Sequence, residues 1–336
     1  MKKIALTSLN LFFEQIKKTQ TLIAPVEKAG QVDFDVWSAD KKLRLDVLKT
    51  VKSAKDAFFP QVENMVRFHM DGKKIEIDPV EVMNEDFVIF GVRACDARSF
   101  ELLDRVFLSE PTDPFYAARR EHCTVVTLAC NEPEENCFCS NFGIDAADPA
   151  GDVTAWIVGE ELFLRANTAK GEKLIAELDD ADDTAIADTQ KAIRAITAKL
   201  PLADLDLEGF DGEHLMEKFN DPKWAELSQA CLGCGTCTFV CPTCQCYDVR
   251  DFDTGSGIQR YRCWDSCMYS DFTLMAHGTN RPTQVERFRQ RFMHKLVYFP
   301  SNNEGLYSCV GCGRCLAKCP QGLNIVKVIK ALGGNK

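Results

Sequence analysis

The sequence predicts a mixed α+β and α/β chain in two domains, an N-terminal α/β domain over 1–215 and a cysteine-rich, loop-rich domain over 216–336. Three observations predict this division. A length of 336 residues is enough for two domains of ordinary size. In the first 170 or so residues, short apolar β-rich runs alternate with stretches of helical spacing, which is the pattern of a crossover fold. Twelve of the seventeen cysteines fall between Cys231 and Cys319. A chain this long without a secretory leader does not need a disulfide framework, so clustering of that kind points to metal.

The elements follow in order. Leu9, Phe12, Phe13 and Ile16 share one face of an amphipathic helix at the start, where the basic tip is followed by neither a long apolar stretch nor a small-residue cleavage site. The expectation is a cytoplasmic chain. Phe87–Val92 and Thr124–Leu128 read as buried strands, and between them Phe100, Leu103, Val106 and Phe107 space a helix over 97–108. Strand, helix, strand is a crossover unit, so the two strands pair in parallel. Residues 155–165 read as a hairpin turning at Gly159-Glu160. The stretch 170–200 is helical in pattern, with an acidic break at 179–183. Residues 201–210 read as a linker, and a short helix then leads to Cys231.

Charge and hydropathy exclude two broad classes. Lys and Arg total 40 against 50 Asp and Glu, for a net charge of −10, a poor balance for neutralising nucleic-acid phosphates. No apolar run reaches the roughly 18 residues of a membrane helix.

One spacing occurs twice. Cys231, Cys234, Cys237, Cys241, Pro242 and Cys309, Cys312, Cys315, Cys319, Pro320 both read C-x2-C-x2-C-x3-C-P. Three thiolates set two residues apart wrap three corners of a cubane, and the fourth is carried away from it. In bacterial two-cluster ferredoxins that fourth cysteine ligates the other cluster. The expectation is therefore one [4Fe–4S] cluster on Cys231, Cys234, Cys237 and Cys319 and a second on Cys309, Cys312, Cys315 and Cys241, in a ferredoxin-like domain with a long insertion over 247–308. Gly233, Gly235, Gly311 and Gly313 between the ligands permit tight turns near the cluster sulfurs. Zinc knuckles, the alternative, show two separated C-x2-C pairs and not four cysteines in a single run. Paired cubanes serve electron transfer. Gly255-Ser256-Gly257 is too short for a phosphate-binding loop.

A third cluster is expected in the N-terminal half. With the two strands parallel, Cys95 and Cys130 emerge at the same carboxyl edge of the sheet, where open α/β sheets place ligands. Cys137 and Cys139 follow in a loop able to fold back over that edge. A zinc site on these four, or plain buried thiols, are the alternatives, and plain thiols leave the C-x-C unexplained. Cys123, at the other end of its strand, reads as core. Cys244, Cys246, Cys263 and Cys267 form an extra set, read either as one more metal site or as packing around the cubanes. The basic stretch of Arg281, Arg287, Arg289, Arg291 and Lys295, with Phe288 and Phe292 interleaved, reads as a solvated helix face or as a docking surface for an acidic partner. His69, His122, His214, His277 and His294 show no ligand spacing.

The stretches Phe90-Gly91-Val92-Arg93-Ala94-Cys95-Asp96, Asn136-Cys137-Phe138-Cys139, Cys241-Pro242-Thr243-Cys244-Gln245-Cys246-Tyr247 and Trp264-Asp265-Ser266-Cys267 go beyond generic cubane runs. So do Arg281-Pro282, Arg287-Phe288-Arg289 and Cys309-Val310-Gly311-Cys312-Gly313-Arg314-Cys315. Together, in this order and over most of the chain, they resemble the beta subunit of cytoplasmic nickel–iron sulfhydrogenases and the corresponding iron–sulfur subunit of anaerobic sulfite reductase. The resemblance implies an iron–sulfur electron-transfer subunit. Its implied partners are a flavin- and NAD(P)-binding diaphorase-like subunit and a catalytic one, either a nickel–iron hydrogenase or a sulfite reductase. It also supports the four N-terminal cysteines acting together. The short acidic segment over 170–225 and the additional Cys123 and Cys263 depart from the pattern and leave the partner open. A further reading is a self-contained reductase with a pocket at the N-terminal sheet edge, lined by Arg93, Asp96, Arg98, Arg119 and Arg120. A third, a structural zinc scaffold, would be colourless where cubanes are brown.

Overall fold

A computed structural model describes residues 1–255 and 257–333; Ser256 of the short glycine stretch and 334–336 at the end of the second expected domain lie outside the described residues. The strands in chain order are β1 (Lys2–Ala5), β2 (Thr21–Lys28), β3 (Gln31–Val36), β4 (Val62–Asp71), β5 (Lys74–Pro79), β6 (Phe87–Val92), β7 (Cys123–Leu128), β8 (Val153–Val158), β9 (Glu161–Ala166), β10 (Asp179–Asp180), β11 (Tyr247–Asp253), β12 (Ile258–Trp264) and the short pair β13 (Leu274–Met275) and β14 (Gly278–Thr279). The strands up to β10, without the β4–β5 pair, make an eight-stranded mixed sheet in the order β10-β1-β9-β8-β7-β6-β2-β3.

The expected crossover is present. β6 and β7 pair in parallel, joined by a helix over Ala94–Phe107, and β2 and β8 extend the parallel run on either side. Every residue of β6 and β7 is buried, because both faces of the sheet are covered. Successive side chains point to opposite faces. Val88, Phe90, Val126 and Leu128 pack with Phe12, Phe13 and Ile16 of the helix Leu9–Lys17. Phe87, Ile89 and Val125 pack on the other face with Phe100, Leu103 and Phe107. The hairpin β8–β9 turns at Gly159, as its sequence pattern predicts. The acidic break is more than a break: Asp179 and Asp180 add an edge strand to β1, and Lys2 reaches Asp180 at 3.0 Å.

A second sheet joins distant segments. β4 and β5 form a hairpin, and β12 of the 247–308 insertion pairs with β4, giving the antiparallel order β11-β12-β4-β5. At its base Arg262 is buried and pairs with Glu63 of β4 and Asp113. Contacts therefore run across the 215/216 division. No helix among the described residues is long and apolar enough to cross a membrane.

Candidate metal centres

The repeated cysteine spacing folds into a repeated shape. Gly235 and Gly313 sit at φ 71° and 75°, a left-handed turn that glycine adopts without strain. Each opens a short helix, Thr236–Phe239 in the first run and Arg314–Lys318 in the second, and the two helices pack together. The helix turns the chain so that the fourth cysteine of each run faces the other run's loop. One cavity is lined by Cys231, Cys234, Cys237 and Cys319. A second is lined by Cys309, Cys312, Cys315 and Cys241. A third lies at the carboxyl edge of the parallel strands and is lined by Cys95, Cys130, Cys137 and Cys139. Cys95 stands in the first turn of the helix after β6, and Cys130 lies two residues beyond β7. The three sets expected from spacing and topology are thus the sets that meet around the three cavities.

The cavities adjoin one another. Cys312 lines both the second and the third, and Arg291 lines both the first and the second. The seam between the second and third is backbone against backbone: Phe138 N–H donates to the Gly311 carbonyl at 2.9 Å. A Cβ on Gly311, at φ 59°, would fall 2.5 Å from the Phe138 carbonyl and the Cys139 nitrogen. Beside this seam Arg314 forms a two-pronged pair with Asp96, at 2.5 and 2.8 Å, both residues being buried. Asp96 follows Cys95 and Arg314 precedes Cys315, so the pair ties the two cysteine motifs together. Arg93 lines the third cavity and donates to the Ala129 and Leu45 carbonyls at 2.8 and 2.7 Å.

The helix Gln284–Met293 begins with a capping box, in which Thr283 N–H donates to the Glu286 carboxylate at 2.8 Å. Its start fixed, the helix presents Gln284, Phe288, Arg291 and Lys295 on one face at helical spacing. Gln284 Nε2 donates to Cys231 Sγ at 3.3 Å, and Arg291 Nη2 donates to the Cys237 carbonyl at 2.7 Å. Past Met293 the turns widen to a π-helix over His294–Tyr298, a geometry frequent at functional sites. There Lys295 Nζ donates to Thr243 Oγ1 at 2.7 Å and the Ser308 carbonyl at 3.1 Å. The basic stretch is therefore not one surface. Arg291 is 2% exposed and Lys295 4%, both turned onto the cysteine loops, because the apolar spacing of Phe288 and Phe292 places them on the inward face. Lys55, 1% exposed, completes the group, donating to the Cys241 and Cys244 carbonyls and lying 3.6 Å from the Trp264 ring centre.

The donor set fits iron–sulfur clusters. Each cavity offers the four thiols of its set, with Cys312 also bordering the third, and burial pushes up the thiols of Cys95, Cys130, Cys139 (to about 12), Cys237, Cys309, Cys312 and Cys315 (to about 12). Buried thiols of this kind release their protons when a metal binds. Cys234, the exposed one, is lowered first by its hydrogen bond with Thr236. Arg291 Nε and Nη1 are buried without a hydrogen-bond partner, the expected state of donors aimed at a sulfur-rich anion between two cavities. Zinc fits less well. Its thiolates stand about 2.3 Å from one ion, and among the described residues no three His, Cys, Asp or Glu side chains close around a single ion.

Other sequence candidates are dispersed. Cys246 and Cys267 meet, and Cys244 lies against Cys241, whereas Cys263 stands apart on β12 beside Asp248 and Arg250. Cys123 is buried in the core as the first residue of β7. The pocket expected from Arg93, Asp96, Arg98, Arg119 and Arg120 does not assemble. Arg93 faces the third cavity, Asp96 pairs with Arg314, and Arg119 pairs with Glu63. Arg98 and Arg120 alone of the five border an open cleft, where Arg120 is paired with Asp104. Sequence proximity failed here because these residues lie at or in two helices, Ala94–Phe107 and Pro114–His122, and successive positions of a helix face in different directions. The inward Arg291 and Lys295, Lys55 and the Arg314–Asp96 pair were missed. The 284, 288, 291, 295 spacing was the available signal for the first two.

Two runs of four cysteines whose fourth members exchange places define a dicluster iron–sulfur protein, and a family model described as a 4Fe-4S dicluster domain matches residues 230–323. Over 323 residues the chain is 34% identical to the sulfhydrogenase 2 subunit beta of Pyrococcus furiosus, covering 95% of this chain and 94% of that protein. The chain belongs to the sulfhydrogenase beta-subunit family. No solved structure matches it.

Proposed function

We propose that the chain is the electron-transfer iron–sulfur subunit of a hydrogenase-like oxidoreductase complex and holds three [4Fe–4S] clusters in a row. The ligands are Cys231, Cys234, Cys237 and Cys319 for the first cluster and Cys309, Cys312, Cys315 and Cys241 for the second. Cys95, Cys130, Cys137 and Cys139 hold the third. The observation that carries the reading is the succession of three four-cysteine cavities, the first and second joined at Arg291 and the second and third at Cys312. When bound, such clusters accept and release single electrons. The protein's part is to hold them close, to keep water from the second and third, and to compensate thiolate charge with Arg291, Lys295 and Lys55.

The two ends of the row differ. At the first cavity Cys234 is exposed beside the solvent-facing Leu232, so electrons cross the surface there to a partner. The partners proposed are a flavin- and NAD(P)-binding subunit and a hydrogenase-like catalytic subunit, by analogy with the multi-subunit enzyme to which the relative's name refers. Iron and acid-labile sulfide in anaerobically purified protein test the cluster count. About twelve iron atoms per chain are expected, and about eight would confine the clusters to the C-terminal motifs. In the assembled complex, Cys312→Ser is expected to stop electron flow between the partners while each partner's own site stays active. Normal flow through that variant would refute the relay.

A further inference from the structure

Arg291 occupies a position that the ligand sets do not explain. It is 2% exposed and lines the cavities of both C-terminal clusters. One of its nitrogens is anchored on the Cys237 carbonyl at 2.7 Å, while Nε and Nη1 have no hydrogen-bond partner. The thiols that act on it electrostatically, Cys237, Cys315 and Cys241, belong to both sets, with Cys244 beside them. Lys295 and Lys55 differ, since Lys295 spends its donors on Thr243 Oγ1 and the Ser308 carbonyl and Lys55 on the Cys241 and Cys244 carbonyls. An unpartnered buried guanidinium is costly unless anionic groups face it.

Resting on the three-cluster reading, we propose that Arg291 is a shared positioning cation that raises the reduction potentials of the first and second clusters together and so keeps them matched for electron exchange. Reduction adds one negative charge to a cluster. A fixed cation beside it stabilises the reduced form, and at a buried site neither water nor salt screens the effect strongly. Because the same guanidinium faces both cavities, its removal lowers both potentials. The third cluster, whose cavity Arg291 does not line, is unaffected.

The test is a redox titration of the whole purified chain followed by electron paramagnetic resonance, with Arg291→Met and Arg291→Lys beside the wild type. Arg291→Met is expected to shift the reduction equilibrium of both C-terminal clusters at least tenfold towards the oxidised form, which is 59 mV for a one-electron couple. The N-terminal cluster should not move. Arg291→Lys keeps the charge and should recover at least half of the shift. Full iron content with no shift, or with only one cluster shifted, overturns the proposal. So does loss of iron in both variants, which would make Arg291 a structural support of the site. Fewer than about eight iron atoms in the wild type would instead remove the paired C-terminal clusters, and the proposal with them.

Discussion

Replacing Gly311 by alanine tests the seam between the second and third centres. The new Cβ would lie 2.5 Å from the Phe138 carbonyl and the Cys139 nitrogen, where ordinary contact begins near 3.4 Å, so the two loops must part by about 1 Å. Both neighbours are backbone, and no side chain can swing away to make room. Three costs add. The left-handed conformation at φ 59° is worth about 1 kcal/mol or more against a side chain. The 2.9 Å hydrogen bond from Phe138 to Gly311 is lost or lengthened, for about 1 kcal/mol. Overpacking adds about 1–3 kcal/mol. The total, about 3–5 kcal/mol, corresponds to a fall in thermal midpoint of about 4–7 °C in a chain of this size. Gly159 is the control: at φ 60° with nothing within 4 Å of its added Cβ, it carries the conformational cost alone. Anaerobic thermal denaturation of both variants, with iron counted before and after, is the assay. Gly311→Ala is expected to be the less stable by about 2 kcal/mol or more, the size of the overpacking cost, and to lose iron from the centres flanking the seam. Equal midpoints and equal iron for the two variants would refute the close backbone packing.

Two further outcomes follow from buried charges. Asp96→Asn leaves the Arg314 guanidinium buried without its carboxylate and should destabilise by about 3–5 kcal/mol, whereas Asp96→Leu combined with Arg314→Met should recover much of this; denaturation of both variants beside the wild type checks it, and a loss below about 1 kcal/mol in the first refutes the pairing. His294 is held down to about 4 from 6.5, first by burial and then by Lys295 and Arg281. Between pH 6.5 and 4 the unfolded chain takes up a proton that the folded chain refuses, so stability falls as pH drops through that window. From pH 7 to pH 5 the loss assigned to this residue is about 2 kcal/mol. His294→Gln should flatten the fall in thermal midpoint over that range, and an unchanged slope would refute the depression by showing that the imidazole titrates alike in the folded and unfolded chain.

The three groupings of four cysteines were legible because covalent spacing constrains them. A C-x2-C-x2-C-x3-C-P run has few ways to fold around a cubane, and two parallel strands must deliver Cys95 and Cys130 to one edge. β6 and β7 were legible for a similar reason, their continuous apolar runs being suited to a sheet covered on both faces. β1 and the β2–β3 pair were not, since Lys2–Ala5 is short and β2 carries Pro25 beside charged residues. The β4–β5 hairpin carried a signal that went unused, Asp71-Gly72 between two β-rich runs. What it could not announce is that β12, nearly 200 residues later, completes its sheet. Charge misled at Arg291 and Lys295. Polar residues default to solvent in a sequence reading, and only the anions they face make their burial favourable.

The same exchange that places the ligands makes the fold depend on them. Cys241 leaves the first run to line the second cavity, and Cys319 leaves the second run to line the first, so neither run closes its centre alone. The second run is in turn locked to the N-terminal sheet through Gly311 and the Arg314–Asp96 pair, and the insertion reaches back through β12 to β4. A cluster bound at the first or second position therefore draws the two cysteine runs together, and contacts around the cavities join segments more than 100 residues apart in sequence: Cys95 with Cys312 across the seam, and Lys55 with Cys241. Since thiols lose their protons to the metal and the loops gain their rigidity from it, binding free energy is folding free energy here. In the proposed relay, the packed loops and the metal they hold would thus set the spacing of neighbouring centres together.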